Sequence, residues 1–197
     1  MSEPSVSRSP RIPPLGTDEL DEATSQLLYS CVQDATADNN IYRTIVRHPR
    51  VFKRWTGFGA VLLYGWIPER DRELLVLRTA HNCRCEYEWA HHSEIAGRFG
   101  VTADQVAAVP EGPEWPGWSE WDATLLRAAD ELHVDARISE PTWAALAQRY
   151  DERLLIELPF LIGNYHAVAY AVNSIGIQYE GVDAAGPAPA RETSEKS

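Results

Sequence analysis

An all-α fold is what this chain of 197 residues predicts. Helix-start signals recur along it, few segments alternate as a strand would, and its reactive side chains fall in register at helical spacing. One domain of about eight to nine helices is expected over residues 17–181.

Residues 1–16, rich in Pro and Ser, read as an extended N-terminal arm. Thr17 is placed to cap a first helix with Asp18 and Glu19 in its opening turn. Pro49 and Pro68 stand where a first helical turn tolerates proline, because the missing N–H would be unpaired there anyway. The Pro68 helix carries Glu73 among Leu74, Leu75 and Leu77 and ends near His81. Cys85 falls in the opening turn of the next helix, which runs to Phe99 and stops at Gly100. Thr102 with Gln105 forms a capping box for a short helix that Pro110 ends. A Pro/Gly/Trp loop follows over 110–118. Ser119, Ser139 and Asp151 cap three further helices, the last so rich in Leu, Ile, Ala and Val that it is expected to be buried over most of its length. Residues 182–197 read as a disordered C-terminal tail by composition.

The composition is that of globular protein, 44% hydrophobic with seven tryptophans. A net charge of −11 argues against nucleic acid and anionic membrane as partners, since both need a basic face. Three cysteines do not make a secreted disulfide framework. With no apolar run of signal-peptide length at the start and no window approaching a membrane span, a cytoplasmic protein is expected.

The chemistry concentrates between Glu73 and His92. That stretch holds two of the three cysteines, three of the six histidines and three glutamates. At about 100° per residue, Cys85, Glu88 and His92 fall within about 60° of arc on one helix face. A thiol, a carboxylate and an imidazole on one stripe are the parts of a proton-transfer or nucleophilic site. A cysteine in a first helical turn meets unpaired N–H groups and the positive dipole end, which favour its thiolate, while Glu86 and Glu88 oppose it. Glu88 beside Tyr87 and Trp89 could act as general acid or base. Glu73, set among leucines, needs a partner, either an arginine or His92. Tyr42, Tyr64, Tyr87, Tyr165 and His166 are candidates to line a substrate pocket. Arg78 either neutralises a substrate carboxylate or pairs with Glu73. His91, one position off the stripe, is expected to face another helix or subunit.

The spacing Glu73, Cys85, Glu88, His92 resembles the Glu-x11-Cys-x2-Cys-x3-His signature of the alkyl hydroperoxidase D and carboxymuconolactone decarboxylase superfamily, with glutamate at the second cysteine position. Arg72–Arg78, Cys85–His92, Leu126–Leu132 and Tyr165–His166 extend the resemblance to the decarboxylase-like branch, over roughly residues 40–176. It implies an AhpD-like helical bundle and a homo-oligomer (dimer, trimer or hexamer). It also implies cofactor-free acid/base chemistry on a small oxygenated acid or lactone: decarboxylation, isomerisation or C–C cleavage. Glu73, Cys85, Glu88 and His92 are the catalytic set so implied, with Glu73 orienting His92 and Cys85 assisting. Without the second cysteine the family's disulfide cannot form. A one-cysteine peroxidase through Cys85 is the runner-up, and a non-catalytic helical oligomer the third reading. Metal is not expected. Glu88 with His91 and Asp130 with His133 have the i, i+3 spacing of di-metal helices, but two further carboxylates are wanted. His81, Cys83 and Cys85 fit no common zinc pattern.

Overall fold

A computed structural model describes residues 9–32 and 34–180. The helices are α1 (Glu22–Cys31), α2 (Asp34–Ala37), α3 (Asn40–Ile45), α4 (Pro49–Leu63), α5 (Glu69–Asn82), α6 (Glu86–Ala96), α7 (Ala103–Ala108), α8 (Glu120–Asp135), α9 (Glu140–Leu146) and α10 (Glu152–Ile175). Since α2 is a single turn, nine helices exceed one turn among the described residues, and no strand occurs among them. The all-α prediction therefore holds.

Several starts follow from their caps as the sequence indicates. The Thr102 and Gln105 box opens α7, Ser119 accepts from the Asp122 N–H at α8, and Asp151 accepts from the N–H groups of Arg153 and Leu154 at α10. Pro49 is the first residue of α4, and Pro68 immediately precedes α5. Thr17 differs from expectation. It begins only a 3-10 turn, Thr17–Glu19, and the true first helix is capped by Asp21, whose carboxylate accepts from Thr24 N–H at 2.7 Å. An aspartate one residue before a run of helix formers outcompetes a threonine followed by Leu20 in an extended conformation.

Helix α5 is the central element. It packs against α6, α8 and α10, and nine consecutive or nearly consecutive positions from Asp71 to Ala80 are buried. A helix buried on most sides must satisfy its polar residues internally. Arg70 pairs with Asp122 at 2.5 Å; Asp71 accepts from Trp121 Nε1 at 3.0 Å and the Tyr150 hydroxyl at 2.8 Å. Arg78 grips Asp130 with two bonds of 2.6 and 2.9 Å, while Asn82 donates to the same carboxylate. The main apolar core surrounds this helix, with Leu74, Leu75, Leu77, Leu125, Leu126, Leu158 and Leu161 fully or almost fully buried.

Two expectations about the last helix are corrected. It is not buried over most of its length, because Ile156, Phe160 and Tyr170 are exposed on one face while Leu155, Leu158, Leu161 and Ile162 fill the core on another. It is also long and apolar enough to cross a membrane by length and composition, contrary to the expectation that no segment would be. Its packing against α4, α5 and α8 gives the simpler reason for its apolar face. The described part of the arm is tied to the fold: Arg11 N–H donates to Ile175 O, and Arg43 and Arg47 donate to Leu15 O and Pro13 O. The tail expected at 182–197 lies outside the described residues, as do residues 1–8.

Replacing Asp71 by Ala would strand the Trp121 N–H and the Tyr150 hydroxyl in the interior. It is expected to lower the unfolding free energy by about 2–4 kcal/mol, read from guanidinium denaturation, with Asp71→Asn losing less because an amide oxygen still accepts.

Candidate active site

The corner between α5 and α6 sets the site. Helix α5 ends in a Schellman arrangement, with Cys85 N–H donating to Ala80 O at 2.9 Å and Arg84 N–H to His81 O at 3.0 Å. Arg84 takes the left-handed conformation usually given to glycine, with φ of 52°. The chain reverses in three residues, and α6 runs back along α5 so that His92 reaches Glu73, 19 positions earlier.

Glu73 and His92, the pair that the motif's resemblance implies, are in contact. His92 Nδ1 lies 2.7 Å from Glu73 Oε2, and Nε2 lies 3.5 Å from Glu88 Oε2. Glu73 takes both partners that the sequence offered as alternatives, but the arginine is Arg72, whose Nε sits 3.2 Å from Glu73 Oε1. Arg72 also donates to Leu63 O at 2.8 Å and stacks over the Phe99 ring. All four side chains are buried. Burial works against the His92 cation, yet the hydrogen bonds to Glu73 and Glu88, with their charges, outweigh it and hold the imidazole up to about 9. At neutral pH the group is an imidazolium with two carboxylates on its two nitrogens.

Beside this relay opens a cavity of about 390 Å³. Its floor carries Glu88, His91 and His92 from α6, and its walls are mostly apolar or aromatic: Ile41 and Tyr42 from α3, Trp55 and Leu62 from α4, Ile95 from α6, Tyr165 and Val168 from α10. The Tyr165 ring meets His92 edge-on at 5.2 Å. Burial and the nearby carboxylates push the Tyr165 phenol well up, and burial with Glu88 pushes Tyr42 to about 12, so both stay protonated donors. Tyr64 stands exposed beside the cavity and Tyr87 lies buried in its wall. The Tyr87 hydroxyl donates to Glu180 at 2.8 Å, and His91 Nε2 is 2.9 Å from the other oxygen of the same carboxylate. His91 thus faces the segment that follows α10.

Three sequence expectations fail here. Cys85 leaves the stripe because it is the N-cap, with an extended φ/ψ of −94° and 92°, so helical counting starts one residue later. Its side chain packs with Ile41, Val168, Ala169 and Val172, fully buried, and does not line the cavity. Burial dominates its pKa, and the N–H of Glu88 and then of Tyr87 recover only part of the loss; the thiol ends at about 12. Arg78 neither pairs with Glu73 nor reaches the cavity, being held by Asp130 and Val109 O. His166 also lies elsewhere, against His133. The di-metal pattern is not assembled either, since Asp130 serves Arg78 and His91 serves Glu180.

Arg72, Glu180, Trp55 and Asn164 were not singled out from the sequence. Arg72 had a signal, an arginine adjacent to a glutamate that needs a counter-charge, whereas Glu180 meets Tyr87 and His91 only through the tertiary placement of the segment after α10. A larger open depression of about 510 Å³, lined by Arg70, Asp71, Asp122 and Tyr150, carries less chemistry because those groups satisfy one another.

Residues 49–131 match the family model for the carboxymuconolactone decarboxylase family. No curated protein matches the chain significantly. Among solved structures, an uncharacterized peroxidase-related protein with an AhpD core from Ralstonia eutropha is 16% identical, with 87% of this chain and 93% of its own covered and a TM-score of 0.75. A peroxidase-related protein from Silicibacter sp. is 12% identical, with coverages of 92% and 96% and a TM-score of 0.74. The debrominase Bmp8 is 19% identical, with coverages of 86% and 92% and a TM-score of 0.67; a variant of it was solved in complex with 2,3,4-tribromopyrrole. At such identities the likeness is one of fold.

The His92 environment makes a pH signature. Its pKa in the folded protein, about 9, lies above the ordinary 6.5, so the folded state binds the extra proton between those values. Its contribution to stability is full below 6.5 and is lost as the pH rises through 9. Glu73→Gln removes the main attraction, and His92 should then titrate at about 6.5 or below, as followed by imidazole NMR shifts, with the alkaline loss of stability flattened in parallel.

Proposed function

We propose that this chain, whose residues 49–131 match the carboxymuconolactone decarboxylase family model, is an acid/base enzyme acting on a small enolisable carbonyl compound, a keto acid or lactone. The observation that carries this reading is the Glu73–His92–Glu88 relay, buried on one side and open to an apolar cavity on the other. Glu88 is the base that takes a proton next to the carbonyl, and the His92 imidazolium returns one to the product carbon or oxygen. Glu73 fixes the ring through Nδ1 and takes no direct part. The Tyr165 and Tyr42 hydroxyls, held protonated, suit donation to a developing enolate oxygen.

The cavity narrows the substrate class. Among the described residues that line it there is no arginine or lysine, and the His92 imidazolium is already flanked by two carboxylates. A lactone, ketone or singly charged keto acid fits this lining better than a dicarboxylate. The volume is of the size that small ligands need, and the debrominase of the same fold was solved with a small ring compound. Isomerisation begins with that proton abstraction, whereas decarboxylation begins with loss of CO2 to an enolate, which the His92 and tyrosine donors would stabilise before a proton is returned to carbon.

A peroxidase role finds less support. Cys85 is sealed from the cavity with its thiol pushed up to about 12, Cys83 is pushed up to about 11 by burial, and Glu88 occupies the other motif position. Cys85 is a positioning residue in this reading, fixing the start of α6. Three free cysteines suit a reducing cytoplasm.

Deuterium exchange and turnover of β-keto acids and lactones should fall by about 10²–10⁴-fold in Glu88→Gln and His92→Asn and by no more than about tenfold in Cys85→Ala. Hydroperoxide turnover with a dithiol, lost in Cys85→Ala and kept in Glu88→Gln, would instead make the protein a one-cysteine peroxidase.

We also propose a homo-oligomer, supported by the apolar face where Phe58 meets Phe160 at 6.2 Å and Trp66, Ile156 and Tyr170 stand exposed. Light scattering should give a mass two, three or six times 22.1 kDa, and Phe160→Asp should shift it towards the single chain.

A further inference from the structure

Outside the residues that line the cavity, the sulfur of Cys83, a ring nitrogen of His133 and a ring nitrogen of His166 lie within 4.8 Å of one another. We propose that these three side chains form a zinc-binding site that ties the end of α5 to α8 and α10. None of the three lines the cavity, so the site is separate from the proton relay.

The donor set is that of a thiophilic divalent ion, one thiolate and two imidazoles. Tetrahedral zinc holds such ligands about 3.3–3.6 Å apart, from bond lengths of about 2.0–2.3 Å. His133 Nδ1 and His166 Nε2, at 2.9 Å, have to open slightly, and the sulfur has to approach by no more than about 1.5 Å, within the reach of side-chain rotation. His133 is exposed at the last turn of α8 and Cys83 is half-buried at the C-cap of α5, so neither is locked by packing.

The backing of each ligand is already in place. His166 Nδ1 is 2.9 Å from Ile162 O, which fixes the proton on Nδ1 and leaves the Nε2 lone pair free, the usual support behind a metal-bound histidine. Asn173 Nδ2 donates to Cys83 O and holds the backbone of that cysteine against α10. Asp130, one turn before His133, adds negative charge, although Arg78 shares it. Two imidazoles in contact cannot both carry a proton on the facing nitrogens, and one shared hydrogen now bridges them. Zinc would replace that hydrogen. His133 would bind through Nδ1 with its proton on Nε2, Cys83 would bind as the thiolate with its proton released to solvent, and water would complete the coordination.

The fit differs from the zinc pattern considered from the sequence, His81, Cys83 and Cys85. Only Cys83 is shared; its partners come from positions 50 and 83 residues further along the chain, which no local spacing reveals.

The test is Zn²⁺ and Co²⁺ titration of chelator-stripped, untagged full-length protein, by calorimetry and absorbance. The expected result is one ion per chain, a thiolate-to-cobalt charge-transfer band and a raised melting temperature. Cys83→Ser should abolish the band, and His133→Ala or His166→Ala should weaken zinc at least about tenfold. Cys31→Ser and Glu88→Gln should bind as the parent does. His133 is exposed, so its replacement keeps the fold intact even if the others perturb it. No stoichiometric binding, or binding that survives both Cys83→Ser and His133→Ala, overturns the proposal.

Discussion

A carboxylate with 1% of its surface exposed is tolerable only if its charge is met at close range, and Glu73 is the group around which this fold is arranged. Arg72 occupies one of its oxygens and His92 the other. Desolvating any member alone would cost several kcal/mol, of the order found for unpaired buried ions. Joined with Glu88, the four make two positive and two negative groups in contact, and burial then strengthens every interaction among them. The requirement reaches the backbone. Only the tight corner at residues 83–85, with Arg84 in a left-handed conformation, returns α6 along α5 so that His92 meets Glu73.

The same balance governs the chemistry that the cavity offers. A histidine buried alone would be neutral; here it is held protonated and presented with a carboxylate on the cavity side. The tyrosines around it are pushed the opposite way, towards a permanent hydroxyl. The site therefore separates donors from a base by electrostatics rather than by distance. Cys85 illustrates the competition most plainly. The helix start favours its thiolate and the surrounding Val168, Ala169 and Val172 oppose it, and because desolvation scales with burial while the dipole acts only through the first N–H groups, burial wins.

Helix α5 carries polar groups to more than one side. Arg70, Asp71, Arg78 and Asn82 are each taken up by α8 or by Tyr150, which turns a charged amphiphile into a buried strut. Its C-cap residue, Cys83, meets His133 and His166 in a second cluster with its own chemistry. The apolar faces of α4 and α10 remain at the surface, a distribution that hydropathy by itself cannot assign to core or interface.

Helix class, most caps and the Glu88–His92 pair were legible because each depends on neighbours within one or two turns, whereas Glu73, 19 positions from His92, was joined to them only through the resemblance in spacing. Ser119, Thr102 and Asp151 cap their helices through N–H groups two or three residues away, and the 3.6-residue period places Glu88 and His92 on one face. What only the tertiary structure decided involves residues far apart in sequence or a single residue's conformation. One non-helical residue at Cys85 removed it from a stripe that counting had placed it on. Arg78 went to Asp130, 52 positions away, and His166 to His133, 33 positions away. Glu180, from the segment after α10, took Tyr87 and His91, 93 and 89 positions earlier. A charged side chain buried on folding takes the nearest complementary group in space, and sequence spacing states that distance only within a helix or a turn.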